Sequence, residues 1–173
     1  MYTIMGATGQ TGGAVARTLL NRGHAIRAVG RSAERLAPLA AIGAELAIGD
    51  ANDPTFLTNA FDGANGVYAM VAPAVTTTDM IGDFERGAAA IATATARAGT
   101  PRLVVLSGIG AHYDTGVGPA VGLHRLEQAV ASTGAHQTHL RPAYYFENFF
   151  LSLPTIYATG SNVGPIDPDV AVT

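Results

Sequence analysis

Five residues into the chain, a short apolar run gives way to Gly6-Ala7-Thr8-Gly9-Gln10-Thr11-Gly12, and an amphipathic stretch follows at once. A glycine-spaced turn joining a strand to a helix permits few architectures. The first glycine allows the tight turn, the second lets backbone approach a ligand, and the third lets helix and strand pack closely. The helix start then offers bare N–H groups and the positive end of its dipole, which suits a pyrophosphate. Such a turn can also be an ordinary loop, so its setting decides. Here a strand, the turn, an amphipathic helix and a second strand come in order, as a dinucleotide site requires.

The same alternation continues down the chain. Strands are predicted over residues 2–5, 25–29, 45–48, 66–71, 103–106 and 137–140. Helices are predicted over 11–22, 33–42, from Pro54 onward, 79–98 and 121–132. Val15, Leu19 and Leu20 mark the apolar side of the first helix, and Ser32 and Asp53 are helix caps. Alternating strands and helices imply an α/β fold, a doubly wound parallel sheet with right-handed crossovers. The order expected for a Rossmann sheet is 3-2-1-4-5-6. Residues 1–152 form the expected dinucleotide domain. Residues 153–173 are rich in Pro, Gly, Asp and Thr and end without a closing element, so they are expected to open an incomplete C-terminal region.

Composition removes whole classes of chemistry. There is no cysteine, which excludes disulfides and thiolate chemistry and fits a cytoplasmic protein. All ten basic residues are arginine, so no lysine is available for a Schiff base or a Walker-type phosphate loop. The net charge of −3 and the lack of a basic patch argue against direct nucleic-acid binding. The apolar stretch from Ala143 to Leu153 is too short to span a bilayer, and no membrane contact is expected. No metal site is expected either. His124 and Glu127 are one helical turn apart but read as a solvated face. His136 and His139 point to opposite sides of a strand.

The end of the second strand should select the cofactor. An acid there would bind the ribose 2′-OH of NAD; the sequence has Gly30-Arg31-Ser32, with Arg35 one turn on. Arginine pairs with a 2′-phosphate and Ser32 can add a hydroxyl donor, so NADP(H) is favoured over NAD(H).

The glycine turn, Gly30-Arg31, Gly49-Asp50, Leu140-Arg141-Pro142 and Glu147-Asn148 together resemble the atypical short-chain dehydrogenases/reductases. The NmrA-like group, with its quinone oxidoreductase-like members and redox-sensing regulators, is the most similar. That resemblance spans the whole chain. It implies cofactor contacts from Gly6, Thr8, Gly9, Gln10, Thr11 and Gly12. Asp50 and Ala51 would sit by the adenine, and Ala69, Met70 and Val71 on the ribose side. Ser107 and Gly108, with the stretch from Pro142 through Tyr144 to Tyr145, would lie near the nicotinamide. Larger relatives carry a Tyr-x-x-x-Lys pair, whose places here fall at Pro119 and Leu123. A mechanism built on that pair, such as sugar-nucleotide epimerisation, is therefore disfavoured.

Reduction of a quinone or small carbonyl compound is the catalytic expectation, because a quinone accepts hydride without a strong general acid. His112 and Tyr113 are the candidate proton donors. The run Tyr144, Tyr145, Phe146 offers rings for stacking or for packing on a further lobe. The alternative is a non-catalytic sensor that reports cofactor state to a regulated protein. The Ala-rich helix ending at Ala98 suits core packing first, and a homodimer contact second. Asp79, Asp83 and Glu85 are expected to stabilise the positive end of that helix.

Overall fold

The computed structural model describes residues 1–72 and 76–161. Six strands are present: β1 (Tyr2–Ile4), β2 (Ile26–Gly30), β3 (Glu45–Ile48), β4 (Gly66–Ala69), β5 (Arg102–Leu106) and β6 (His136–Leu140). They form one parallel sheet in the order β3-β2-β1-β4-β5-β6, the order expected from the sequence. Between them run α1 (Gln10–Asn21), α2 (Ala33–Ala40), α3 (Pro54–Phe61), α4 (Met80–Arg97) and α5 (Ala120–Val130).

Both faces of the sheet are covered, because alternate residues of each strand point to opposite sides. Met5, Val29, Val67, Leu103 and Val105 pack with Leu57, Phe61, Ile91, Leu126 and Val130 on one face. Ile4, Ile26, Ala28 and Tyr68 pack with Ala16, Leu36 and Leu39 on the other. The small residues of α4 serve the first of these cores: Gly87, Ala88, Ala90 and Ala94 are buried. Asp79 caps α4 by accepting from the Gly82 N–H at 3.0 Å, Asp83 pairs with Arg86, and Glu85 lies 3.8 Å from Arg125.

Two boundaries differ from the sequence reading for physical reasons. β4 stops at Ala69 and not at Val71, because Met70 and Val71 turn out of the sheet to line a cleft. α2 ends at Ala40, which leaves Ile42 half exposed beyond it.

After β6 the chain forms a 3-10 helix (Phe146–Ser152) and α6 (Leu153–Thr159), neither with a buried residue. Phe146, Leu151 and Tyr157 are at least 80% exposed. Residues 162–173, most of the stretch 153–173 that the family resemblance implies to be the start of a substrate region, lie outside the described residues. No helix among the described residues is long and apolar enough to cross a membrane.

Candidate functional site

At the carboxyl edge of the sheet, by the point where the strand order reverses between β1 and β4, an open cleft of about 260 Å³ is lined by the glycine turn and the strand ends around it. Such an edge is where open α/β sheets bind ligands. The turn is shaped by two glycines in particular. Gly6 has φ +62°, which side chains rarely adopt. A Cβ at Gly12 would lie 2.6 Å from the Met5 carbonyl oxygen and closer still to that of Gly6. Helix α1 is therefore pressed against the turn. Its cap is Gly9, which supplies no side-chain hydrogen bond, and its first turn has no acid. The leading N–H groups of α1 are thus left for a ligand, and the dipole end is unneutralised. These features fit a dinucleotide pyrophosphate.

Seven nominated residues meet in this cleft. Gly6 and Thr8 come from the turn, Arg31 from the end of β2, Asp50 and Ala51 from beyond β3, and Met70 and Val71 from beyond β4. Asp50 accepts the Asn52 N–H at 2.9 Å, so one carboxylate oxygen shapes the local turn. Ser32 caps α2 by accepting the Arg35 N–H at 3.3 Å. The Arg35 guanidinium reaches the Thr8 carbonyl at 3.5 Å and links α2 to the turn. Gln10 opens α1.

Other nominated residues lie elsewhere. Ala69 is fully buried in the core. Thr11 and Pro142 line a second, apolar cleft with Tyr68, Leu106, Leu140 and Tyr145. Tyr144 sets its ring edge-on to Phe149 at 5.3 Å. The rings of His112 and Tyr113 meet at a tilt, 3.9 Å between centroids, on an exposed turn after β5 and line neither cleft. Ser107 is buried, and its hydroxyl donates to Glu127 at 2.6 Å.

Glu127 requires a correction. It was expected on a solvated helix face with His124, yet it is 6% exposed. Arg141 donates to it from Nε at 2.9 Å and from Nη2 at 2.5 Å, and His139 Nδ1 lies 3.3 Å away. Burial alone would push its carboxyl up. The hydrogen bonds from Arg141 and Ser107 and the charges of His139 and Arg141 outweigh that and hold it below the ordinary range. The signal was in the sequence: Leu123, Leu126 and Val130 mark the inner stripe of α5, and Glu127 falls within it. His124 instead faces the Ala111 carbonyl, 2.9 Å from Nδ1.

Sequence reasoning also passed over Tyr68. Burial raises its phenol, partly offset by a hydrogen bond with Thr11, and burial likewise raises Tyr145, with Tyr68 and Glu147 adding to it. Asn52, Asp83 and Gly87 join the first cleft unforeseen. Gly87 sits there because α4 runs close under Val71, where a Cβ would fall 2.9 Å from a methyl group.

A family described as NAD(P)H-binding matches residues 6–148, which takes in the glycine turn, β2 to β6 and every cleft-lining residue but Met5. The chain belongs to this NAD(P)H-binding family. It is 28% identical over 166 residues to an NAD(P)H azoreductase of Xenophilus azovorans, covering 96% of this chain and 56% of that protein. A triphenylmethane reductase of Citrobacter sp. solved with NADP(H) superposes with a TM-score of 0.76 at 26% identity. That match covers 92% of this chain and 54% of the other. An NADPH-dependent quinone oxidoreductase of Escherichia coli solved with NADPH gives 0.78 at 26%, covering 92% and 55%. The family member thus spans about half the length of these relatives. The likeness is that of an atypical, NmrA-like short-chain reductase, as the motifs implied.

Proposed function

We propose that this chain is the cofactor-holding part of an NADP(H)-dependent reductase that acts on flat, conjugated acceptors such as a quinone or a related carbonyl compound. One observation carries the reading: the glycine turn, through Gly6 and Thr8, lines one cleft at the sheet edge with Arg31, and the uncapped α1 starts directly from that turn. The backbone N–H groups of Gln10, Thr11 and Gly12 would hold the pyrophosphate. Arg31, with Ser32 beside it, would meet the 2′-phosphate, which favours NADP(H) over NAD(H). Asp50 and Ala51 would border the adenine, and Met70 and Val71 the ribose. The bound cofactor would supply the hydride, so the chain's task is orientation and exclusion of water.

The second cleft flanks the same turn, since Thr11 lines it while Gly6 and Thr8 line the first. Tyr68, Tyr145, Leu106 and Pro142 give it apolar and aromatic walls suited to a flat ring. The relatives' names point the same way, since azo compounds, triphenylmethane dyes and quinones are all extended conjugated systems. A quinone needs only modest help with protons, which agrees with a chain that has no lysine.

A second reading, a non-catalytic sensor of cofactor state, is favoured by two observations. Ser107 gives its hydroxyl hydrogen to Glu127, and His112 and Tyr113 line neither cleft. The two readings separate when NADPH oxidation is followed with a panel of quinones and azo compounds. Turnover that is lost in Gly9→Asp supports the reductase. Tight NADPH binding with no turnover on any acceptor supports the sensor, and absence of binding ends both.

A further inference from the structure

Of the side chains that line the second cleft, Tyr68 carries a group that the fold does not require. It sits within β4, on the sheet face shared with Ile4, Ala28 and Ala16. A phenylalanine would pack there as well, and a hydroxyl taken out of water is costly unless it is partnered. Tyr68 is 6% exposed, and among the described residues its phenol oxygen is hydrogen-bonded to the Thr11 side chain. That bond favours the ionised phenol, so the Thr11 hydroxyl is the donor. Burial outweighs it and keeps the hydrogen on Tyr68. A tyrosine hydroxyl both donates and accepts. With Thr11 supplying the hydrogen that joins the two, the hydrogen of Tyr68 itself is left over.

The rest of the cleft narrows what that hydrogen can meet. Val15, Leu106, Leu140 and Pro142 give apolar walls. The remaining polar side chains, Tyr145 and Arg141, also offer hydrogens. Burial raises the Tyr145 phenol, and the charge of Tyr68 adds to this, so the two phenols stand close. Arg141 commits Nε and Nη2 to Glu127. Among the described residues, no carboxylate or amide side chain lines this cleft. We propose that the second cleft selects flat conjugated ligands that bear a carbonyl oxygen, and that Tyr68 recognises this oxygen by donating its hydroxyl hydrogen. The proposal rests on reading the second cleft as the place of the acceptor. A quinone oxygen can only accept, which suits a wall of donors. As an acceptor is reduced, negative charge gathers on that oxygen, and a donor already fixed there is worth more. Tyr68 holds the oxygen and releases no proton, because burial disfavours its phenolate.

The test compares two probes on the full chain: para-naphthoquinone, and naphthalene, which has the same rings and no oxygen. The chain has no cysteine or lysine for a quinone to alkylate. Tyr68→Phe should weaken the quinone by roughly five- to tenfold, the size of one lost hydrogen bond. Naphthalene should stay within about twofold, since it has nothing to accept a hydrogen. Thr11→Val keeps the shape of its side chain and serves if Tyr68→Phe folds poorly. Without the Thr11 hydroxyl the phenol is free to turn, so the quinone should weaken by a smaller factor, about threefold. Unchanged quinone affinity in Tyr68→Phe, or in Thr11→Val where that variant stands in, overturns the inference. Equal losses for both probes do the same, since Tyr68 would then be part of the wall only. Quinone turnover with NADPH whose KM is the same in wild type and Tyr68→Phe sinks the inference alone. Quinone binding that depends on Tyr68, in a chain that binds no NADPH, sinks the reductase reading and leaves the site standing.

Discussion

Arg141 grips Glu127 at two points, Nε to Oε1 at 2.9 Å and Nη2 to Oε2 at 2.5 Å. The grip is asymmetric in its surroundings: the Glu127 side chain is 7% exposed and that of Arg141 41%. Removing the arginine strands a carboxylate in the interior, while the arginine itself returns readily to water. Arg141→Met should therefore destabilise the fold by roughly 2 kcal/mol, less than a fully buried pair would lose because one partner is already half solvated. Arg141→Lys should recover only part of this, since a single ammonium cannot reproduce the fork. Urea unfolding of the three proteins measures both steps, and an Arg141→Met variant as stable as wild type would show the pair to be ornamental.

The same carboxylate should mark the acid limb of stability. Glu127 is held below its ordinary value of 4.5 in the folded protein. The ionised form is thus favoured by folding. Its contribution is complete above the unfolded value and disappears as pH falls through the lower folded value. Unfolding free energy measured from pH 6 down to pH 3, roughly the span over which carboxylates protonate, should fall more steeply for wild type than for Glu127→Gln. The gap between the two proteins should narrow below pH 4.5. Parallel curves would mean that Glu127 does not titrate differently on folding.

The contrast between Glu127 and the glycine turn shows what a sequence discloses. Gly6, Gly9 and Gly12 were legible because their spacing has one local explanation, and strand and helix periods fixed the sheet around them. Arg31 was placed by the same periodicity, one residue beyond β2, whereas Asp50, two residues beyond β3, came from the family resemblance; both line the first cleft. Glu127 was misread because its partners Ser107 and Arg141 lie 20 and 14 residues away, so only the closed sheet brings them to it. Tyr68 was read only as part of a strand: its contact with Thr11 crosses from β4 to α1. His112 and Tyr113 followed β5 closely enough to be nominated. Their actual direction depended on a glycine-rich turn whose path no period reveals.

Gly12 tests the turn independently of chemistry. Any side chain there meets backbone oxygens of Met5 and Gly6, and neither can swing aside as a flexible side chain could. Gly12→Ala should push α1 away from the turn. Melting temperature should drop by an amount equivalent to roughly 1–3 kcal/mol, the usual cost of forcing extra volume into a packed place. NADPH affinity should fall further than stability alone explains, because the leading N–H groups of α1 move with the helix. Gly13→Ala is the control: its added Cβ would meet the Ala7 oxygen at 3.1 Å and the flexible Arg17 head, a milder intrusion. If both variants bind NADPH equally well, close approach at Gly12 is not what shapes the site.

Arg31 decides the cofactor argument. It lines the first cleft from the end of β2, where an acidic residue would instead favour an unphosphorylated ribose. Arg31→Ala should weaken NADPH by roughly 10- to 100-fold, matching the worth of hydrogen bonds to a charged group. NADH affinity should hardly change, since nothing at its ribose needs the guanidinium. Arg31→Asp should go further and reverse the preference, as the carboxylate repels the 2′-phosphate and accepts from a free 2′-OH. Raising the salt concentration should erode the wild-type preference for NADPH while leaving NADH binding nearly constant, because only the former draws on a charge pair at an exposed site. Paired titrations of NADPH and NADH on the three proteins read all of this. If Arg31→Asp leaves the ratio of the two affinities where it was in wild type, the guanidinium does not contact the phosphate and the cofactor must be selected from another wall of the cleft.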